Sequence, residues 1–304
     1  MDIIDKNNGV ATEIKHIDIT NLDETSLHDI RKIVRSDVVT ILKKQSTQPA
    51  YFTNFVSKIG PIGNFKQLLW DPTTGELCNN TQNLHDPLMW SNPETYPVQR
   101  VTGKKINGKD SGIFGTGVLD WHANLNGLRR ADGVALQGYK DCEGTSTTWL
   151  NMAKAYEQMP DDLKQRCANV FCSYTYSPET WAAGLSKKQK EAMLKNPSSY
   201  NMWLVQKNIS GRHGLYFYTN NNCKIHSEDT ELYNDLYDYV FCDKFMYTHY
   251  YDIGDIVLSD QLLSLHKRDQ NDPNILSKRI LHRLTFSLSN FGDPTYLEKY
   301  NNGL

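Results

Sequence analysis

Hydrophobic and polar positions alternate with two different periods along this chain. Ile14-Lys15-His16-Ile17-Asp18-Ile19 has period two and predicts a strand. Asp23-Glu24-Thr25-Ser26 then offers capping side chains before Leu27, Ile30, Ile33 and Val34, whose spacing predicts a helix. The β-branched run Val38-Val39-Thr40-Ile41-Leu42 predicts a buried strand, and Phe52 to Ile59 a short helix stopped by Gly60-Pro61. Strand-like pieces follow around 113–122 and 133–139. Leu150, Ala153 and Ala155 predict a helix over roughly 149–158, and a second helix begins near Pro160-Asp161-Asp162. Leu215-Tyr216-Phe217-Tyr218 reads as a strand, and Leu232, Leu236 and Val240 as the stripe of a helix over 229–241. Further strands are expected near 246–250, 255–259 and 280–288.

Two stretches lack either period. Residues 71–112 are rich in Asp, Asn, Pro, Gly and Thr; irregular chain of that length inside a domain is usually a functional loop, here expected to form part of a lid. Residues 177–200 are polar, and their basic run Ser186-Lys187-Lys188-Gln189-Lys190 reads as a solvated helix face. No repeat or linker interrupts the rest, so residues 1–304 are read as one domain, rich in strands, with helices at the start and in the middle.

Composition narrows the function classes. A formal charge of −2 makes no electrostatic case for nucleic acid or an anionic membrane. No stretch approaches the ~18 apolar residues of a membrane span, and no basic segment followed by an apolar one marks a signal peptide at the N-terminus. Six cysteines without a Cys-x-x-Cys pair are expected to be free, mostly buried thiols in a reducing cytosol. The expected location is therefore cytoplasmic. The 17 tyrosines are read as strand and core residues rather than as stacking platforms.

The chemistry concentrates in two histidine segments. The first is Asp120-Trp121-His122-Ala123-Asn124; the second is Gly254-Asp255-Ile256-Val257-Leu258-Ser259-Asp260 with His266 beyond it. Non-heme Fe(II) oxygenases hold the metal on one face with two histidines and a carboxylate, leaving positions for cosubstrate and O2. A histidine and a carboxylate two residues apart on a strand point the same way and supply half of such a set. Here the third position holds Asn124, a neutral amide.

In chain order, these segments resemble the taurine dioxygenase family of Fe(II)- and 2-oxoglutarate-dependent oxygenases. His16-Ile17-Asp18-Ile19-Thr20, Val38 to Leu42 and Phe55 with Gly60 resemble its N-terminal part. Gly144 through Glu157 resembles its glycine–threonine–tryptophan stretch, and 254–283 its C-terminal signature, with Ser259-Asp260-Gln261 where the family has Trp-Asp-Asn. The resemblance implies an α+β, mainly β fold, the double-stranded β-helix or jelly roll with flanking helices. It implies Fe(II) as metal and 2-oxoglutarate as cosubstrate with O2, oxidative decarboxylation coupled to attack on an unactivated C–H bond, and hydroxylation as the default outcome. His122 and His266 match the iron ligands, Thr147 the threonine that bonds 2-oxoglutarate, and Arg279, 13 residues beyond His266, the arginine that grips its distal carboxylate. Arg283 shares a strand face with Arg279 and matches a position that can bind an anionic substrate group, with an ordinary strand salt bridge as the other reading. The substrate class implied is a small anionic or zwitterionic molecule, with Asn64 near a region that contacts it.

Asn124 leaves four readings open: a weak third ligand in a working oxygenase; a halide in the anionic position, as in related halogenases; Asp120 as the true carboxylate ligand; or a degenerate or mutated site whose fold only binds. His226-Ser227-Glu228 is a closer literal match to histidine-x-carboxylate, yet Ser227 is placed to cap the helix carrying Leu232, and the segment follows Thr147 instead of preceding it.

Overall fold

The structure, a computed structural model, describes residues 1–62, 98–115, 117–124, 132–175, 191, 199–219, 223–269 and 272–288. A seven-stranded sheet runs in the order β1 (Asp2–Lys6), β2 (Ala11–Lys15), β3 (Val39–Leu42), β16 (Ile256–Asp260), β8 (Gly133–Lys140), β18 (Ile280–Phe286) and β4 (Gln99–Val101). A four-stranded sheet, β15 (Met246–Tyr250), β9 (Ser146–Asn151), β17 (Ser264–Arg268) and β7 (Leu119–His122), faces it. Every pairing in the two sheets is antiparallel except β2 with β3. A three-stranded sheet, β11 (Ser199–Trp203), β10 (Phe171–Thr175) and β14 (Cys223–His226), and the ribbons β5 (Lys105–Ile106) with β6 (Lys109–Asp110) and β12 (Val205–Lys207) with β13 (His213–Leu215) lie outside them.

The central strands are apolar on both faces because each face meets a different layer. Val39, Ile41, Val134, Leu136, Val257 and Leu281 join Trp149 and Leu263 of the facing side in one core. The alternate residues Leu42, Ala135, Ile256, Leu258, Leu284 and Phe286 pack instead against α1 (Glu24–Ser36) and α2 (Pro49–Ile59). Helix α1 starts where Asp23 accepts a hydrogen bond from Ser26 N at 2.7 Å, and it buries Leu27, Ile30 and Val34 on that sheet. Full burial of such side chains contributes roughly 1.5–3 kcal/mol each. Helix α2 ends at Gly60, where any Cβ would collide with the Ser287 carbonyl. A third core gathers α3 (Met152–Glu157), α4 (Asp161–Cys167) and α5 (Leu232–Val240) around buried Tyr174, Tyr216, Phe217 and Tyr218.

Several expectations shift. The first strand ends at Lys15 because His16 turns out of the extended region at φ +57. The helix expected over 149–158 is a strand to Asn151, favoured by Thr147, Thr148 and Trp149, followed by α3; Asn151 caps α3 by accepting from Lys154 N at 2.9 Å. Around 113–122 only Leu119–His122 is strand, and at 215–218 the strand is His213–Leu215, with Tyr216 to Tyr218 buried but irregular. Ser227 does not cap α5, whose N-cap is Glu231; Ser227 Oγ accepts from Asp229 N at 3.1 Å in the preceding turn. The end of the irregular stretch contains β4, β5 and β6. Asn64, residues 71–97 and most of 177–200 lie outside the described residues. Cys142, Cys167 and Cys172 are buried free thiols, and Cys223 and Cys242 are half-buried and free. Among the described residues no helix is long and apolar enough to cross a membrane.

Candidate active site

His122 ends β7 and His266 sits in the middle of β17, directly opposite it in the antiparallel register. Their ring centroids are 4.3 Å apart. His122 Nδ1 lies 2.6 Å from the Asp120 carbonyl oxygen, which can only accept, so Nδ1 carries the proton and Nε2 keeps its lone pair. His266 Nε2 lies 2.9 Å from Asn124 Nδ2, a donor, so this lone pair is turned toward residue 124. Burial holds both imidazoles below their ordinary pKa, in the neutral form that a metal requires.

Asn124 follows β7 and is tied to the other half of the fold. Gln261 Oε1 accepts from Asn124 N at 2.8 Å and from Nδ2 at 3.3 Å, while Gln261 Nε2 donates to Ser259 Oγ at 2.8 Å. Asp120 is exposed, its carboxylate accepts from Trp121 N at 2.8 Å, and it does not line the cavity that His122, Asn124 and His266 share. His226 is likewise elsewhere, stacked on Phe171 and bonded to Ser173 Oγ at 2.8 Å. Among the described residues no group of three His, Cys, Asp or Glu side chains could hold a metal. The side chain that could complete a facial set beside the two imidazoles is the Asn124 amide.

The cavity lies between the two sheets and opens to solvent, the free space within it and at its mouth together amounting to about 440 Å³. Arg279, Leu281 and Arg283 line it at alternate positions, as the period of β18 requires, with Val134 and Leu136 of β8 beside them. Arg279 is 1% exposed, and among the described residues its Nε and Nη1 have no hydrogen-bond partner. Burial lowers its pKa to about 10, still fully charged at neutral pH. Thr147 on β9 lines the same cavity and accepts from the Tyr251 hydroxyl at 3.3 Å. Burial pushes that phenol upward, so it stays protonated and the Thr147 hydrogen remains free to donate. Arg283 donates to Gln99 Oε1 and has Phe114 5.8 Å from its guanidinium carbon. Arg268 braces the wall, donating to Phe114 O at 2.7 Å and to Gly117 O at 3.0 and 2.7 Å.

The family profile of the taurine catabolism dioxygenases TauD, TfdA matches residues 6–285. The chain belongs to the TauD/TfdA dioxygenase family. A similar curated protein is pentalenolactone F synthase of Streptomyces avermitilis, 22% identical over a 211-residue alignment that covers 63% of this chain and 68% of that one. Among solved structures, a putative α-ketoglutarate-dependent taurine dioxygenase from Burkholderia xenovorans superposes with a TM-score of 0.65 at 16% identity, covering 94% of this chain and 92% of its own. AAD-2 in complex with Mn(II) and N-oxalylglycine gives 0.63 at 16% identity, covering 94% and 96%. These likenesses establish the jelly-roll fold. Within this TauD/TfdA-family cavity the structure brings together His122, Asn124, His266, Thr147, Arg279 and Arg283. Sequence reasoning missed Gln99, Phe114 and Arg268. Arg268 alone had a readable signal, since it sits two residues from His266 on one strand.

Proposed function

We propose that the protein is an Fe(II)- and 2-oxoglutarate-dependent oxygenase that hydroxylates a small anionic or zwitterionic molecule. The observation that carries this is the convergence of two neutral imidazoles and the Asn124 amide on a cavity that also holds Arg279, whose Nε and Nη1 lack partners among the described residues. His122, His266 and Asn124 would hold the metal; with 2-oxoglutarate bound, iron supplies the activation of O2. Thr147 would donate to the cosubstrate, and the Arg279 guanidinium would pair its distal carboxylate, a bidentate match of fixed charge. That AAD-2, of the same fold, is solved in complex with Mn(II) and N-oxalylglycine supports the use of a metal and a 2-oxoglutarate-like ligand.

Arg283 is left for the substrate. It is already oriented by Gln99 and Phe114, and burial lowers its pKa only to about 10. Among the described residues the lining includes Lys267, Arg268, Arg279 and Arg283 and no carboxylate. With an amide in place of the usual aspartate, one negative charge fewer faces the metal, which favours an anionic substrate group. The amide also fills the position a halide would need, and Gln261 holds it there, which supports hydroxylation over halogenation. Anaerobic Fe(II) titration with 2-oxoglutarate tests the reading: a visible charge-transfer band of the chelate is expected, and its absence with unchanged protein fold would reject it.

A further inference from the structure

Gln261 is fully buried, and each polar atom of its side chain is committed. Its Oε1 faces the Asn124 backbone N–H, a group that only donates, so the amide cannot be turned without stranding that hydrogen. The side chain of residue 124 therefore meets a fixed acceptor. An asparagine satisfies it with Nδ2; an aspartate in the same place would set carboxylate oxygen against carbonyl oxygen.

From this contact we infer that Gln261 is a positioning residue that selects an amide at position 124 and turns its Oδ1 toward the metal. The inference rests on the ligand set proposed above. In the structure Nδ2 also touches His266 Nε2, but that contact uses the lone pair a metal takes. A bound metal would take the place of that contact, and the bond to Gln261 would then keep Nδ2 occupied and leave Oδ1 as the donor atom. The neutral third ligand is then matched to its surroundings, with Ser259, Gln261 and Asn124 forming one chain of hydrogen bonds across the two halves of the fold. Turning the Gln261 amide to suit a carboxylate would leave Ser259 Oγ able to donate to it but would strand the Asn124 backbone N–H.

The test is a cycle of metal affinities, read from Mn(II) titrations by electron paramagnetic resonance on the parent, Asn124→Asp, Gln261→Met and the double variant. Gln261→Met is expected to weaken Mn(II) at least fivefold in the parent and to strengthen it at least twofold in the Asn124→Asp background. The coupling is at least tenfold, about 1.4 kcal/mol. Equal effects of Gln261→Met in both backgrounds would overturn the inference, because a merely structural role cannot change sign. Failure of the parent itself to bind Mn(II) would instead reject the ligand set. A second measurement needs no variant: vanadyl bound to parent protein labelled with 15N-asparagine should show no directly bound asparagine nitrogen. A directly bound one would place Nδ2, not Oδ1, on the metal and overturn the inference.

Discussion

Arg283 on β18 and Gln99 on β4 are opposite residues in one antiparallel register, and the guanidinium donates to the amide oxygen across it. The cavity arginine is thus pre-aimed by a neutral partner, which orients it without cancelling its charge. Arg283→Gln is expected to leave 2-oxoglutarate affinity within threefold while lowering affinity for small sulfonates and carboxylates at least tenfold, as loss of a buried charge-assisted pair commonly costs ~2–5 kcal/mol. Gln99→Ala should produce a smaller loss in the same direction. Calorimetric titration of the Fe(II) form distinguishes the two ligands; a collapse of 2-oxoglutarate binding in Arg283→Gln would exchange its role with that of Arg279.

Arg279 carries the opposite expectation. Arg279→Met should weaken 2-oxoglutarate by at least tenfold, for the same reason of scale. It should not lower the melting temperature of the ligand-free protein, because it replaces a buried charge whose Nε and Nη1 lack partners among the described residues. The parent, and not the variant, should gain stability on adding 2-oxoglutarate. Equal ligand-induced shifts in both proteins would refute the assignment.

The histidine pair gives the most direct metal test. His122→Ala and His266→Ala should each abolish Fe(II)-dependent 2-oxoglutarate binding, with far-ultraviolet circular dichroism unchanged. Iron binding at parental strength by either variant would show that the ligand set lies elsewhere.

A pH experiment addresses the other face of β18. Neither ring nitrogen of His282 has a hydrogen-bond partner among the described residues, and the ring is stacked on Tyr139 at 4.0 Å. Burial, with the nearby charge of Arg100, lowers its pKa from 6.5 to about 3. Above pH 6.5 the residue is neutral folded or unfolded and contributes nothing to pH dependence. As pH falls below 6.5 the unfolded chain takes up a proton that the folded chain refuses, so stability drops until about pH 3. Asp260, raised from 3.8 to about 6 by burial, works the other way in part of that window. His282→Phe isolates the histidine: its advantage over the parent in urea unfolding should grow by about 2 kcal/mol between pH 8 and pH 5. An advantage that does not change with pH would contradict the buried neutral state.

How much of this the sequence disclosed depends on how far each residue acts along the chain. His122 and Asn124 share a short local pattern, and α1 carries both its cap and its apolar stripe, so these were legible. His266, Thr147, Arg279 and Arg283 became legible only through the order of segments in a known family. Gln99 was hidden because its strand is three residues long and takes its meaning from β18, far along the chain. Phe114 stands in irregular chain at φ +51, where no period can announce it. The β9–α3 boundary was misplaced because Leu150 and Ala153, three residues apart, fit a helical spacing that Asn151 interrupts. Gln261 looked like a departure from a family signature; its bond to Asn124 makes the two departures one.

The alternation along β18 has a consequence for how such a protein can change over generations. Arg279, Leu281 and Arg283 face the cavity while His282, Leu284 and Phe286 face the helices, and the extra residue at this pairing, Tyr139, is carried by β8. The arginine strand thereby keeps an unbroken parity. Inserting or deleting one residue between Arg279 and Arg283 would reverse that parity for one arginine, sending its charge into the helix layer. Point substitutions can re-tune this pocket one side chain at a time, whereas length changes here would lose cosubstrate and substrate recognition in a single step.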